Sequence, residues 1–555
     1  MQESNRHSAP KDWPGLYGYQ LGALLCDGST VFRVFAPEAQ DVQLLVNGEL
    51  FSMSPTREGY WESRQPGELE GVEYQFIVDG RVCNDPNARA SLANSGVSVV
   101  VRPDPLPRAE PFAGNPVIYE AHVRDMTIGP ENGITHKGKF LGLAERGTTT
   151  PEGQPTGLDY IASLGVTHIQ LLPIFDFATV DELGDLSFNA QYNWGYDPAQ
   201  YNVPEGSYAT DPSDPLCRIR ELKMMIQAMH DAGLRVIMDV VYNHVFDVAQ
   251  SPLHHTAPGY YFRYRRGHLL NGTGVGNETA SEQPMMRKLM VDSVMYWAKE
   301  FAIDGFRFDL MGIHDVETMN EIRRALDTID PSIIVLGEGW HMGNHPKGVV
   351  PANMGNAHLM PRIFHFNDRF RDAMKGPALV EHSTGVISGA RNESLMRQLF
   401  EELSGKGLDQ SVVYNEAHDN ATMFDKLTST MPRTSEQEVL DRCALATALQ
   451  FFARGLVFIH AGQEMMRTKG GDENSYRSPD HVNAFDYERA RQLKQYVDRF
   501  RQLCAFRRSY APDSIEAVEI TSSHVVFKVD GRTLLFEPNP PRLVDLEHPQ
   551  MDVLL

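Results

Sequence analysis

Two charged residues, Arg307 and Asp309, stand two positions apart inside the otherwise apolar run 303–312, Ile-Asp-Gly-Phe-Arg-Phe-Asp-Leu-Met-Gly. On a strand, residues two apart point to the same side, so a cation and a carboxylate share one face of a buried element. Burying charge is expensive unless it is paired. The two are therefore either a structural ion pair or one wall of a site. Three more apolar runs end in polar residues: Asp239, Asn243 and His244; Glu338 and Trp340 in Gly-Glu-Gly-Trp; and His418, Asp419 and Asn420. A single such residue is commonly a helix cap. Four sets at four strand ends point to chemistry.

Carboxylates converging with His, Arg and aromatic partners suit cleavage of a glycosidic bond. That reaction needs one acid to protonate the leaving oxygen and one carboxylate to attack or stabilise an oxocarbenium-like centre. The environments must push the two pKa values apart. Arg307 would hold Asp309 ionised as nucleophile. Glu338, between glycines and close to Trp340, would be desolvated enough to stay protonated as the acid. Trp340 also offers a flat face for a sugar ring. Asp419 with His418 would hold substrate hydroxyls. The segment 192–198, Tyr-Asn-Trp-Gly-Tyr-Asp-Pro, is dense in aromatics, yet its Gly, Asn and Pro mark a loop suited to sugar stacking.

These residues need a frame. Short apolar runs at 117–120, 168–173, 235–241, 305–308, 333–336, 363–366, 411–414 and 456–459 alternate with helical patterns such as 216–232, 285–301 and 318–327. Eight strands alternating with helices predict a (β/α)8 barrel, with function at the C-terminal strand ends. The barrel is expected over 110–510, with a large loop inserted at about 245–283 and a last helix at 488–508. Ahead of it, 15–105 carries short alternating strands, with hairpin turns at Asn47-Gly48 and Asp79-Gly80, which predicts a β-sandwich. Pro103, Pro105 and Pro107 make a stiff linker. Residues 1–14 read as a flexible tail, and 511–555 as a small C-terminal β domain built on a hairpin at Asp530-Gly531.

The chain has 555 residues, 42% hydrophobic and 22% charged, with a formal net charge of −22. So acidic a surface repels phosphate backbones and anionic headgroups, which argues against nucleic acid and membrane as partners and leaves room for a neutral polar ligand. The five cysteines are scattered and odd in number, so reduced thiols are expected. Residues 1–10 contain no apolar segment of the signal-peptide kind, and a cytoplasmic location is the expectation. Oligomeric state is not legible.

At the strand-end residues the sequence resembles glycoside hydrolase family 13, the α-amylase family, and within it the type I pullulanases. Four family regions occur in order: 239–244, 305–309, 337–340 and 418–420. The resemblance implies Asp309 as nucleophile, Glu338 as general acid/base and Asp419 as transition-state stabiliser. It implies substrate contacts from His244, His418 and Arg307, and, through the intact signature at 192–198, from Trp194, Tyr196 and Asp197. The stretches 119–125 and 467–476 resemble the same subfamily. The N-terminal sandwich resembles the family-48 carbohydrate-binding module, in which Trp61 is either a sugar platform or a core residue. The implied activity is retaining hydrolysis of α-1,6 branch bonds in pullulan, branched dextrins or glycogen, through a covalent glycosyl-enzyme. The partner is an α-glucan polysaccharide or branched oligosaccharide, with no cofactor required. Isoamylase-type debranching and transglycosylation use the same carboxylates. A non-catalytic glucan-binding protein would have lost one of the three, and all are present. The segment 341–343, His-Met-Gly, departs from the usual continuation. Amylase relatives often bind calcium near the residue matching Asn243, but here only Asp247, Glu278 and Glu282 are at hand and they form no oxygen cage.

Overall fold

The computed structural model describes residues 20–380 and 382–548. The expected tail at 1–14, the first residues of the expected sandwich and the last residues of the C-terminal domain lie outside them. All eight expected barrel strands form: Val117–Ala121, His168–Leu171, Arg235–Val240, Gly305–Phe308, Ile334–Gly337, Ile363–Phe366, Ser411–Val413 and Leu456–His460. They pair in sequence order, and the last closes on the first in a parallel barrel. Inside it pack Ile118, Ile237, Leu336, Val412 and Phe458. The register sets Asp239 of the third strand opposite Arg307 of the fourth. Around the barrel run Cys217–Asp231, Pro284–Glu300, Val316–Asp327 and further helices. Their starts follow sequence signals: Pro284 in the first turn of its helix, Asp315 capping the Thr318 amide, Ser435 capping the Glu438 amide. The expected helix at 488–508 divides into Tyr487–Gln492 and Lys494–Ser509 around Leu493.

The N-terminal sandwich has two antiparallel sheets. One runs in the order Gly22–Cys26, Ser29–Phe35, Tyr60–Pro66, Ser54–Pro55; the other runs Glu49–Ser52, Val42–Val46, Glu73–Val78, Arg81–Cys83. Asn47, Gly48, Asp79 and Gly80 all take positive φ, as two-residue hairpin turns with the twist of the strands require. Trp61 packs against the sandwich core, and its indole donates to the Ala36 carbonyl at 3.0 Å, so it serves the core. The proline linker is pinned to the helix Pro284–Glu300: the Asp104 amide donates to the Glu300 carboxylate and the Leu106 amide to its carbonyl. The C-terminal domain exceeds a hairpin. Four strands, Ile515–Ile520, Val525–Val529, Arg532–Pro538 and Pro541–Asp545, form an antiparallel sheet whose Phe527 and Phe536 close on Phe400 of the barrel helix Glu393–Leu403. Among the described residues no helix is long and apolar enough to cross a membrane.

One buried cluster anchors the aromatic loop. The loop joins the strands Phe175–Phe177 and Pro198–Pro204, which pair antiparallel. Asp176, Glu182 and Glu205 converge at their base, all buried. The guanidinium of Arg218, fully buried on Cys217–Asp231, lies among them, 2.6 Å from Glu182 and 3.8 Å from Asp176. Burial, with the neighbouring carboxylates adding to it, pushes Asp176 well above the usual carboxylate range and Glu205 up to about 7. Removing one partner of such a network strands the others. Arg218→Met is expected to cost about 3–5 kcal/mol of stability and to lower the midpoint of urea unfolding correspondingly; an unchanged midpoint would contradict the clamp.

Candidate active site

At the C-terminal mouth of the barrel a single guanidinium joins three carboxylates. Arg307 Nη1 lies 2.9 Å from Asp309 Oδ1 and 3.0 Å from Asp239 Oδ1, and Nη2 lies 2.8 Å from Glu338 Oε1. The first contact follows from the two-residue spacing on a strand, and the second from the register between the third and fourth strands. The third comes from the fifth strand, where Phe308 stands opposite Gly337. The turn after the nucleophile candidate is strained: Leu310 takes φ 41°, ψ 47°, at a cost of about 1–3 kcal/mol for a residue with a side chain. The strain directs the Leu310 amide at Glu338 Oε2, 3.0 Å away. Gly312 closes the same turn against the Trp340 carbonyl, where a β-carbon would come within 2.0 Å.

One positive charge cannot neutralise three carboxylates in a buried site. Burial, reinforced by Asp309 and Asp419 against the pull of Arg307, lifts Glu338 to about 7. Burial likewise lifts Asp239 to about 7, against Arg307 and the Tyr196 hydroxyl and with Asp309 adding to the rise. Arg307 is held well above its ordinary value: the surrounding carboxylates outweigh its burial. Both carboxyls therefore hold a proton more tightly than an ordinary carboxylate, and a carboxyl so raised is suited to act as an acid near neutral pH. Asp419 stands apart from the cluster. Its side chain is 52% exposed, against 12% for Asp309 and 10% for Glu338.

A second ion pair forms the adjoining wall. Glu120, at the end of the first strand, accepts from the His418 amide at 2.7 Å and from its Nδ1 at 2.8 Å. Burial alone would lower His418, but Glu120, with Asp419, overcomes it and raises the ring to about 9; reciprocally, the imidazolium outweighs burial and holds Glu120 down at about 2. The Tyr196 ring stacks on His418 at 5.0 Å between centroids, and its hydroxyl donates to Asp239 Oδ2 at 2.7 Å.

The other sequence candidates divide. Trp340 lines the cavity at the mouth, about 460 Å³, together with Glu120, Arg307, Glu338, His418 and Asp419. Trp194 is buried behind it, edge-on to His418 at 4.8 Å, and so positions the histidine. Asp197 holds its own loop, accepting from Thr179 at 2.6 Å and Asn193 at 2.9 Å. His244 faces Asn243 Oδ1 at 2.6 Å and the Tyr196 carbonyl at 3.0 Å, while Asn243 donates to Asp309 Oδ2 at 2.7 Å. Sequence reasoning gave no role to Glu120, although a carboxylate ending an apolar run was the signal used elsewhere. It also passed over Arg371 and Tyr414, which line the cavity and bond each other at 2.7 Å.

The donors near Asn243 do not fit calcium. The Asn243 side-chain oxygen faces His244 Nδ1 at 2.6 Å, and Glu278 and Glu282 face Arg263 at 3.7 and 2.7 Å. The buried carboxylates of Asp176, Glu182 and Glu205 have Arg218 as their cation.

Clustered carboxyls, one of them raised into the neutral range, at the mouth of a (β/α)8 barrel are suited to glycoside hydrolysis. A model of the α-amylase catalytic domain matches residues 144–256. A pullulanase of Bacillus subtilis strain 168 is 40% identical over 522 residues, covering 89% of this chain and 72% of that protein. The chloroplastic Pullulanase 1 of Arabidopsis thaliana is 28% identical, covering 85% and 61%. The solved type I pullulanase of B. subtilis in complex with maltose superposes with a TM-score of 0.88 at 37% identity, covering 94% of this chain and 79% of that one. The pullulanase of Paenibacillus barengoltzii in complex with maltohexaose and α-cyclodextrin superposes with 0.88 at 41%, covering 95% and 90%. The chain belongs to the pullulanase family, glycoside hydrolases that cleave α-1,6 branch linkages.

The His418–Glu120 pair gives a direct test. The raised histidine contributes stability that is full below its ordinary value and is lost as pH rises through about 9. The depressed carboxylate contributes stability that is present above its ordinary value and is lost as pH falls through about 2. In Glu120→Gln the His418 ring is expected to titrate about 1–3 units lower, read by NMR of the imidazole. A ring that still titrates near 9 would contradict the pairing.

Proposed function

We propose that Asp309, Glu338 and Asp419 carry out retaining hydrolysis of α-1,6 branch bonds in pullulan, branched dextrins or glycogen. The observation that carries this reading is Arg307, one guanidinium contacting both Asp309 and Glu338. Sharing a guanidinium keeps the two carboxyls close. That favours the roughly 5–5.5 Å of retaining enzymes over the roughly 6.5–9.5 Å of inverting ones, which must admit a water between them.

Protonated Glu338 gives its proton to the glycosidic oxygen as Asp309 attacks the anomeric carbon, forming a glycosyl ester and freeing the branch point. Negative charge thereby leaves Asp309 and appears on Glu338. Arg307 touches both, so it stabilises the charge before and after the transfer with little reorganisation. Glu338, now a base, takes a proton from water, which cleaves the ester and restores both groups. Asp419 and protonated His418 face the same cavity and are placed to hold sugar hydroxyls. Tyr196, braced on His418, supplies a ring face. Trp340 does the same from the opposite strand end.

Asp309→Asn and Glu338→Gln should each lower turnover on pullulan by at least about 10²–10⁴-fold while the protein unfolds at an unchanged temperature. The unmodified chain should release maltotriose from pullulan and leave linear amylose nearly intact. Short linear products from amylose, or near-normal turnover by Asp309→Asn, would overturn the assignment.

A further inference from the structure

The three carboxyls of the site are not held alike. Asp309 is bonded by Arg307 and by the Asn243 amide, and Glu338 by Arg307 and the Leu310 amide. The Asp419 carboxylate receives no hydrogen bond among the described residues, and its ion pair with His418 Nε2 is a loose one at 3.6 Å. It is therefore aimed by the backbone that carries it. That backbone, 418–421, is a turn after the seventh strand in which Asn420 takes φ 65°. Asparagine accepts that conformation more readily than most residues, yet such a turn keeps one shape only where its neighbours impose it.

Three charged side chains from three other elements impose it. Glu120, at the end of the first strand, accepts from the His418 amide at 2.7 Å. Lys469, in the loop after the eighth strand, donates through Nζ to the His418 carbonyl at 3.4 Å and to the Ser475 hydroxyl at 2.9 Å, and lies 5.1 Å from the centre of the Trp194 ring. Lys375, the last residue of the helix Asp368–Lys375, donates to the Ala421 carbonyl at 2.9 Å. Both lysines are buried. Burial brings each ammonium down to about 8, opposed by Glu416 for Lys375 and by Asp125, Glu120 and Asp419 for Lys469, so both are charged at neutral pH. Among the described residues neither has a carboxylate as its hydrogen-bond partner. A buried cation without such a partner is costly. Here two of them are directed at the carbonyls that bracket Asp419.

We propose that Lys375 and Lys469 are positioning residues for Asp419: their ammoniums clamp the turn from both ends and so aim a carboxylate that no side chain bonds. The proposal rests on the role given to Asp419 above. Neither lysine lines the catalytic cavity, so each acts through the turn and not on the sugar. The arrangement leaves the carboxylate open to a substrate hydroxyl, with no side-chain partner for the substrate to displace. A group fixed in advance also needs no reordering when charge develops in the reaction.

The test is a double-mutant cycle on pullulan turnover. Lys469→Met and Lys375→Met should each lower kcat by about 10–100-fold, the scale of a small misplacement of a catalytic group, and move KM by less than about twofold. In an Asp419→Asn background the same changes should lower kcat by less than about twofold, because no carboxylate is left to aim. Ser475→Ala keeps the Lys469 charge but removes the hydroxyl that orients it. It should lower kcat by about two- to tenfold, the worth of one hydrogen bond, again only with Asp419 intact, and it decides the matter if a methionine variant does not fold. A lysine that merely supports the fold would lower kcat by the same factor in both backgrounds. That result, or an unchanged kcat with Asp419 intact, would overturn the proposal. Near-normal turnover by Asp419→Asn alone would instead refute the role given to Asp419, and the purpose of the clamp with it; it is distinguishable because neither lysine is altered in that protein.

Discussion

Everything at the barrel mouth turns on Arg307 being fixed in a buried place. A guanidinium cannot give up its proton there, and it meets more carboxylates than it can neutralise. Burial, with Asp309 adding to it, outweighs the pull of Arg307, so Glu338 and Asp239 bind protons more tightly than an ordinary carboxylate. Burial is what raises Glu338, and Arg307 holds that rise within the neutral range. Strand register and the two-residue spacing supply that geometry, and the strained turn at Leu310 holds it in place.

Around this centre the molecule is arranged to keep side chains still. The His418–Glu120 pair fixes the ring on which Tyr196 stacks. Trp194 supports that ring from behind, and Arg218 clamps the hairpin from which the whole aromatic loop is hung. Two of these supports, His418–Glu120 and Arg218 with its carboxylates, are buried charges balanced by partners on other elements. Such pairs add little net stability, but breaking one is costly, so they specify geometry more than they strengthen the fold.

Much of this was legible in the sequence. The eight strands show as apolar runs because both faces of a barrel strand are buried. The hairpin turns at Asn47-Gly48, Asp79-Gly80 and Asp530-Gly531 announce themselves because only a few residue types accept positive φ. Asp309, Glu338 and Asp419 stand out as charges at the ends of apolar runs. What stayed hidden depends on distance in sequence. Glu120 and His418 are 298 positions apart, and nothing local in Val117–Ala121 marks its carboxylate as a histidine's partner. Arg218 sits on a helix with an ordinary amphipathic pattern, and only the fold places it among three acids. Of the two extra strands in the C-terminal domain, Ile515–Ile520 shows no clear alternation because a bulge between Ala517 and Glu519 shifts its register.

The most direct test of the central claim is a pH titration of the carboxyl carbons by NMR in protein labelled at Asp and Glu, assigned with Glu338→Gln and repeated in Arg307→Met. Glu338 should titrate in the neutral range, and higher still once the guanidinium is gone, because Arg307 is the group holding it down. Titration of Glu338 in the ordinary carboxylate range, or a midpoint indifferent to Arg307, would contradict the account.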